Sequence, residues 1–563
     1  MKIATFRRIV PMLSLLLLAA ACRTTPAGEA RFTRFAYAGH DARFERSIDP
    51  RNAYLNPVLC GFNSDPSVCR KGGDYFLVTS SFTFHPSIPI YHSRDLVHWR
   101  SIGSVIVRPE RLPLDSLRFN RGVYAADISY NPHNDTFYVV NTCVDGIGNF
   151  AVKCRDPFAG DWSDPIPLPE AEGIDPSLFF DDDGRAYLCH NGMPPGGRQW
   201  NSHRALWMRE YDLDRDCLTG DPVLLLDGGL DPASRPEWLE GPRIYKTEGR
   251  YYLLAAEGGT YENHAQIALV ADAVTGPYRP CAVNPVLTQR DLPEDRPDKV
   301  TCAGHADLID TPEGDWYAVF HGCRPYADTH YNTGRETFLL PVERSRFPVI
   351  LPPGEAIPTA VRKPGLQPDG QPPQSGNFSW ETDFRKPLDG RWLWIRTPRS
   401  RWWRTGEEGL ALHDSGCTLF GQGSPAFVGC RQQHTDFEAE TELRFRPQEG
   451  AFAGMALFQN ERHNLLFGKS RRGGRTEIVV IRTEKRPEIL CRLPIADNEK
   501  PVVLRIRAAG GRCDLEYAEA GKPFATAAAG VDCRNLSTHT ARGFNGVLIG
   551  LYNGKAATET NNE

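Results

Sequence analysis

Three acidic residues stand in similar local settings along the chain. Asp65 and Asp175 each precede a proline and Glu240 begins a Glu-Gly-Pro segment, and all three lead into a short apolar stretch. Taken singly, each could begin a turn or cap a loop. Together they match what cleavage of a glycosidic bond needs: an acid that protonates the leaving oxygen, a carboxylate that activates water, and a third charge that raises the pKa of the acid.

An internal repeat predicts how these residues are positioned. Five apolar segments contain a polar residue, and the aromatic residue that begins the next strand follows 10, 11, 12, 11 and 11 positions later; the polar residues are Asp65, Asp127, Asp175, Glu240 and His305. They lie 62, 48, 65 and 65 positions apart, which leaves room for four strands per unit. The repeat predicts a five-bladed β-propeller over residues 47–350, with these five residues around one small space in the channel.

The rest of the chain divides by composition. Residues 351–377 contain 7 prolines with Gly, Gln and Ser, which predicts a linker. Residues 378–553 show alternating apolar and polar runs separated by turn signals, which predicts a β-sandwich. Residues 554–563 are polar and are predicted to be a tail. The fold class is therefore all-β.

The first residues predict export. Basic residues precede an apolar run that ends in Ala-Ala-Ala-Cys, a pattern typical of a secretory signal peptide over residues 1–22. The segment resembles a bacterial lipoprotein site with Cys22 as the lipidated residue, although an ordinary cleavage site followed by Cys is the alternative. Residues 23–46 are then predicted to be a tether. The protein is expected to be periplasmic or at the cell surface, anchored to the membrane only through this lipid, or else periplasmic or secreted.

Composition excludes other classes of function. The net charge is −5, which argues against nucleic acid as a partner. The 15 cysteines show no CxxC pair and no zinc-ligand spacing. The sequence alone does not show whether Cys60 forms a disulfide with Cys69, or Cys143 with Cys154.

Ordered motifs resemble glycoside hydrolase family 43 over nearly all of residues 50–553. In the propeller these are NPVLCGFNSDPS (56–67), YHSRDLVHW (91–99), GIDPSLFFDDDG (173–184), EGPRIYK (240–246), AEGGT (256–260) and TGRETFL (333–339). In the C-terminal part, RQQH (431–434) and FNGVLIGLY (544–552) are similar to the β-sandwich of the family's β-xylosidase type.

The resemblance implies an inverting, exo-acting enzyme built from a five-bladed propeller and a concanavalin A-like sandwich. Matched by position, Asp65 would be the general base, Glu240 the general acid, and Asp175 the residue that tunes the pKa of the acid. Inversion requires the two working carboxyl groups to be roughly 6.5–9.5 Å apart, so that water fits between base and sugar.

The resemblance also assigns binding residues. Arg335 matches an arginine that binds hydroxyls of the terminal sugar, while Phe82 and Tyr124 match aromatic wall positions. His305 matches a channel histidine that in many members organises a structural calcium ion through water; the alternative is a hydrogen-bonded histidine without metal. No cofactor is required for the chemistry. Arg243 stands where the family commonly has His.

The expected activity is removal of terminal non-reducing α-L-arabinofuranosyl residues from plant cell-wall glycans. A β-D-xylosidase, or an enzyme with both activities, is the main alternative because the two sugars present similar hydroxyl patterns. A catalytically inactive glycan-binding protein and an endo-acting arabinanase are further alternatives. Retention of the three acids and Arg335 argues against the first, and the sandwich domain against the second.

Overall fold

The computed structural model of the chain describes residues 28–367, 370 and 373–556. The predicted signal peptide and Cys22 lie outside the described residues. Within the part that is described, no helix is long and apolar enough to cross a membrane.

Five antiparallel sheets form the predicted propeller. From the channel outward, the strands of blade 1 are Ser67–Lys71, Asp74–Val78, Ser87–Ser93 and Arg100–Ile106, and those of blade 2 are Asp127–Asn131, Thr136–Cys143, Gly148–Cys154 and Ile166–Pro167. Those of blade 3 are Ser177–Phe180, Ala186–Gly192, Ala205–Asp212 and Cys217–Asp227. Blade 4 contains Glu240–Thr247, Arg250–Glu257, Ala265–Ala271 and Arg279–Pro280, and Leu287–Thr288 also pairs with its third strand. Blade 5 contains Thr301–Asp310, Trp316–Cys323 and Glu336–Val342.

The ring is closed by chain that precedes the first blade. The backbone N–H groups of Val58 and Leu59 donate to the carbonyl of Thr337 at 2.8 and 3.2 Å, and the N–H of Thr337 donates back to Leu59 at 3.2 Å. Thr337 lies on the outermost strand of blade 5, so these bonds join the last blade to the segment that leads into Asp65. The ring therefore fixes Asp65 against blade 5.

Two eight-stranded sheets form the predicted sandwich. The first has the order Trp403–Arg404, Leu410–His413, Glu29–His40, Asp436–Phe445, Val502–Ala509, Arg512–Glu519 and Ala525–Asp532, with Phe378–Thr382 also paired to Glu29–His40. The second has the order Arg486–Pro494, Arg475–Glu484, His463–Arg472, Ala451–Asn460, Leu548–Lys555, Phe427–Arg431, Leu393–Ile395 and Phe84–His85. Helical structure in the described residues is limited to short turns, namely the 3-10 segments Ala42–Phe44, Pro109–Arg111, Pro232–Ser234, Arg344–Arg346 and Arg534–Leu536 and the α-helical turn Thr538–Ala541.

The predicted tether over residues 23–46 is wrong for most of its length. Glu29–His40 is an internal strand of the first sandwich sheet and pairs with Asp436–Phe445. Its register shifts between Phe32 and Arg34, so buried residues change from even to odd positions along the strand. The bulge breaks the period-2 alternation that marks a half-buried strand in sequence.

Three other boundaries also differ from the prediction. The predicted linker contains the strand Ala360–Arg362, which pairs with Ala53–Leu55 beside the propeller. Phe84–His85, within the first blade's segment, pairs with Leu393–Ile395 of the sandwich. The predicted tail starts too early, because the last sandwich strand runs to Lys555.

A buried arginine joins the two domains. Arg324, directly after the middle strand of blade 5, contacts both carboxylate oxygens of Glu336 at 2.6 and 2.9 Å and Asp41 at 2.5 Å. It also donates to the backbone carbonyl of Gln433 in the sandwich at 3.1 Å. Because Glu336 follows Arg335 directly, this network also braces the strand end that carries Arg335.

The cysteines that the structure describes, from Cys60 to Cys533, are all free thiols. Neither of the two disulfides considered from the sequence is formed.

Candidate active site

One cavity of about 610 Å³ lies at an end of the propeller channel. It is lined by residues from the propeller and by Gly543 and Phe544 of the sandwich. Of the residues predicted for the propeller site, all except Asp127 line it, namely Asp65, Phe82, Tyr124, Asp175, Glu240, His305 and Arg335. The structure therefore brings the predicted site together.

Equivalent turns aim these side chains into the cavity. Asp65, Asp175 and His305 have left-handed backbone conformations with φ of 53°, 54° and 51°, a costly conformation for a residue with a Cβ. Gly241 has a φ of 59° at the corresponding point of blade 4. A Cβ on Gly241 would lie 2.9 Å from Cε1 of His305, so glycine is required there and the blade's acid is the preceding residue, Glu240.

Asp127 does not belong to this group, which corrects the prediction from the repeat. Its equivalents are Ser67 and Asp307, two residues beyond the turn, and the three side chains meet below the cavity. Ser67 Oγ lies 3.3 Å from an oxygen of Asp127 and 2.8 Å from one of Asp307. A shift of two along a strand keeps the side chain on the same face but moves it about 7 Å down the channel.

Asp65 is held by three neighbours. The two guanidinium nitrogens of Arg335 lie 2.8 and 3.4 Å from its two carboxylate oxygens, and Ser80 Oγ donates to it at 2.5 Å. Nδ1 of His321 lies 3.0 Å from the carboxylate. Burial is the largest effect and would raise the pKa of Asp65, but Arg335 and His321 outweigh it, so the pKa lies well below its ordinary value. Asp65 is ionised at neutral pH.

Glu240 and Asp175 behave in the opposite way. Burial, followed by the charges of Asp175 and Asp65, raises the pKa of Glu240 well above its ordinary value. Burial and the charge of Asp65 raise the pKa of Asp175 to about 7. One cavity thus contains an ionised carboxylate and a carboxyl group that keeps its proton, which are the states required of a base and an acid.

An aromatic wall completes the cavity. The ring of Phe544 stacks on Phe82 with centroids 5.7 Å apart and meets Tyr124 edge to face at 5.4 Å. The guanidinium carbon of Arg335 lies 5.5 Å from the centroid of the same Phe544 ring. The sandwich domain therefore supplies part of the site.

Sequence reasoning missed four residues of this arrangement, Phe544, Ser80, His321 and His264. His321 stacks between His264 and His305, with ring centroids 5.1 and 5.9 Å away. Burial lowers the pKa of His321 to about 4 and that of His264 to about 3, so both rings are neutral beside Asp65. Only Phe544 was within a quoted motif, and nothing in that motif indicated that it faces the other domain.

The channel below His305 does not match the donors that calcium prefers. The guanidinium of Arg243 is buried there, with Nε 3.3 Å from Asp127 and Nη1 3.7 Å from Asp307. Calcium takes six to eight oxygen ligands, whereas these two carboxylates already face a fixed cation. In the described chain, no group of three or more His, Cys, Asp and Glu side chains is placed to hold a metal ion.

Comparison with known proteins identifies the family. The family model for Glycosyl hydrolases family 43 matches residues 54–345, and that for the Beta xylosidase C-terminal Concanavalin A-like domain matches residues 381–563. The chain belongs to glycoside hydrolase family 43 and is a glycoside hydrolase.

Relatives of similar length share both domains. A xylosidase/arabinosidase from Butyrivibrio fibrisolvens is 35% identical over 514 residues, which is 89% of this chain and 96% of the relative. A non-reducing end alpha-L-arabinofuranosidase from Bacteroides ovatus is 32% identical over 524 residues, covering 90% and 93%. The crystal structure of a GH43_12 protein from a capybara gut metagenome superposes with a TM-score of 0.86 at 36% identity, covering 93% and 99%. The chain is thus similar to the xylosidase/arabinosidase enzymes of the family.

Proposed function

We propose that this protein is an inverting exo-glycosidase that removes terminal non-reducing α-L-arabinofuranosyl residues from plant cell-wall polysaccharides or oligosaccharides. The observation that carries the proposal is the contrast in protonation between Asp65 and Glu240 inside one cavity. A base that stays ionised and an acid that stays protonated can act in the same step.

The reaction follows from that contrast. Asp65 takes a proton from a water molecule whose oxygen attacks the anomeric carbon. As the bond from that carbon to the glycosidic oxygen breaks, Glu240 transfers its proton to the departing oxygen. Asp175 keeps the pKa of Glu240 high. Arg335 keeps Asp65 ionised, and the Arg335 guanidinium also faces the aromatic wall beside the sugar. The new bond forms on the face opposite the one that breaks, so the anomeric configuration inverts.

Exo action is supported by the wall that the sandwich adds to the cavity. Gly543 and Phe544 line it together with Asp65 and Glu240. A cavity bounded on one side by a second domain leaves less room for a glycan that continues past the cleaved sugar, and it suits a terminal sugar.

β-D-Xylosidase activity in the same pocket is the second candidate. It is favoured by the combined name xylosidase/arabinosidase of the relative from Butyrivibrio fibrisolvens and of one from Humicola insolens. Furanose and pyranose pentoses present similar hydroxyls to one cavity, so one set of residues can serve both.

The test is hydrolysis of chromogenic α-L-arabinofuranoside and β-D-xyloside, with the first-formed sugar followed by proton NMR. We expect faster release from the arabinofuranoside and a first product of inverted configuration. A first product of retained configuration would contradict the mechanism. No release from either substrate, together with binding to arabinan or mid-chain cleavage of it, would favour the inactive glycan-binding protein or the endo-acting enzyme.

We propose that the chemistry needs no metal ion and that Arg243 supplies the positive charge of the central channel. Its side chain is buried between Asp127 and Asp307. A dication placed near it would meet a like charge in a poorly solvated space.

We also propose that the protein is exported and anchored through lipid on Cys22. If Cys22 is the first mature residue, six residues separate it from the strand that begins at Glu29, a span of at most about 25 Å. The sandwich would then lie close to the membrane surface. Labelling with a radioactive fatty acid tests the proposal: wild type should be labelled and Cys22→Ala should not, and an unlabelled wild type would contradict it.

A further inference from the structure

An exposed tryptophan stands beside the acid. Trp238 precedes Glu240 by two positions and lines the same cavity, yet it remains 37% exposed. Its backbone is left-handed, with a φ of 47°. A large aromatic side chain held in a strained conformation at the rim of a site is a common arrangement for ligand contact.

The two residues before Trp238 are held by hydrogen bonds from two other segments of the chain. Trp200 Nε1 donates to the carbonyl of Pro236 at 3.0 Å. The backbone N–H groups of Gly258 and Gly259 donate to the carbonyl of Glu237 at 2.8 and 3.1 Å. These bonds fix the backbone immediately before Trp238, so the exposure of its indole belongs to the folded state.

Two arginines of the same cavity lack a carboxylate partner, and one of them lies against the indole. The guanidinium carbon of Arg204 lies 4.0 Å from the ring centroid of Trp238, and Arg198 lines the same cavity. Burial and the nearby charge of Arg198 lower the pKa of Arg204. Among the described residues neither guanidinium forms an ion pair, whereas Arg121 on the same cavity pairs with Asp145 at 3.1 Å.

These residues lie on the side of the acid. The charges of both Arg335 and Arg204 act on Glu240, but Arg335 is paired with Asp65, whereas Arg204 contacts Trp238, two residues before Glu240. Glu240 protonates the leaving oxygen, so the leaving group must lie on its side of the cavity. Glu172 also lines the cavity but pairs with neither arginine in the described chain.

We propose that Trp238, Arg204 and Arg198 form a leaving-group subsite that recognises a hexuronic acid, with its ring against the indole and its carboxylate on the guanidinium groups. The assignment to the leaving group rests on the proposed function. Two neighbouring unpaired cations repel each other, and a carboxylate relieves that repulsion through charge-assisted hydrogen bonds. A neutral sugar would use the indole alone.

The test compares two ligands that differ at one carbon. Methyl β-D-glucuronide carries a carboxylate where methyl β-D-glucoside carries a hydroxymethyl group, and their binding is titrated by saturation-transfer NMR without turnover. We expect the glucuronide to bind at least about 10-fold more tightly, the size of charge-assisted hydrogen bonds. The preference should shrink in 1 M salt, where the Debye length is about 3 Å.

Variants assign the preference to the arginines. Arg198→Gln changes an exposed side chain without a described partner and should reduce the preference several-fold. Arg198→Gln combined with Arg204→Gln should abolish it, and Arg204→Lys, which keeps the charge, should retain part of it. Arg94→Gln, whose side chain is 80% exposed on blade 1, is the matched control and should change nothing.

Equal binding of the two sugars by wild type would overturn the proposal, as would a preference that survives Arg198→Gln and the double substitution. Hydrolysis of the chromogenic arabinofuranoside is measured in parallel. If hydrolysis is absent while the preference still depends on Arg198, the uronate site stands, and the proposed function together with the leaving-group role fails.

Discussion

Arg335 and Asp65 form a buried, two-point ion pair, with nitrogen–oxygen distances of 2.8 and 3.4 Å. The pair joins the start of blade 1 to the end of blade 5, and ring closure at Thr337 holds both ends. The arginine therefore acts on the protonation of the base as well as on whatever sugar lies beside it.

Arg335→Gln should move the acid limb of the pH profile. The charge of Arg335 holds the pKa of Asp65 down against burial, so its removal raises that pKa, and Asp65 becomes protonated at a higher pH. We expect the acid limb of kcat/KM to shift to higher pH, with activity at pH 5 at least about 10-fold lower. Arg121→Gln, which lines the same cavity but pairs with Asp145, is the control. An unchanged acid limb would contradict this role.

Asp175→Asn should move the alkaline limb of the pH profile. Above its pKa of about 7 Asp175 is ionised, and its charge raises the pKa of Glu240. Replacing it with Asn therefore lowers the pKa of Glu240, which loses its proton at a lower pH. The alkaline limb of kcat/KM should therefore shift to lower pH while the acid limb stays in place. Asp181→Asn, on the same blade but outside the cavity, should leave both limbs unchanged. A shift of the alkaline limb to higher pH would reverse the inferred sign.

Phe544→Ala tests whether the sandwich takes part in binding. Phe544 stacks on Phe82 and faces Tyr124, and a lost aromatic contact of this kind corresponds to about 10-fold in KM. We expect KM to rise more than kcat falls. Phe524→Ala, on an exposed part of the same domain, should be close to wild type. Equal behaviour of the two variants would show that the sandwich does not contribute to the pocket.

Arg243→Gln should lower the stability of the protein, whereas chelation of divalent cations should change neither its activity nor its stability. When the guanidinium of Arg243 is removed, the negative charges of Asp127 and Asp307 remain buried without a cation beside them. We expect the free energy of unfolding to fall by about 3–5 kcal/mol. Wild-type activity and melting temperature should be the same in EDTA and in millimolar calcium. A fall in either with EDTA that calcium restores would show that the channel holds calcium despite Arg243.

The propeller was predictable because each blade repeats one local pattern. A polar residue at the channel, a turn and an aromatic strand recur at nearly constant spacing, and that spacing follows from strand and turn lengths alone. Asp65, Asp175 and Glu240 reach the same cavity because their turns are equivalent. Asp127 was misplaced because residues two apart on a strand share a face, so alternation cannot say how far down the channel each one lies.

Contacts between distant segments were not predictable. The strand Glu29–His40 was hidden by its bulge, and its partner lies more than 390 residues later in the chain. Phe544 reaches the cavity only because the two domains pack together. His321 lies on an apolar strand whose pattern indicates burial but not which neighbour the ring meets.

The most direct test of the central claim compares leaving groups in Glu240→Gln and Asp65→Asn. Dinitrophenyl α-L-arabinofuranoside needs no protonation of its leaving oxygen, whereas the phenyl compound does. Loss of a general acid or base costs at least about 100-fold. We expect Glu240→Gln to lose that much on the phenyl substrate yet stay near wild type on the dinitrophenyl one, and Asp65→Asn to lose it on both. Equal losses by Glu240→Gln on the two substrates, or full activity of Asp65→Asn, would contradict the assignment of acid and base.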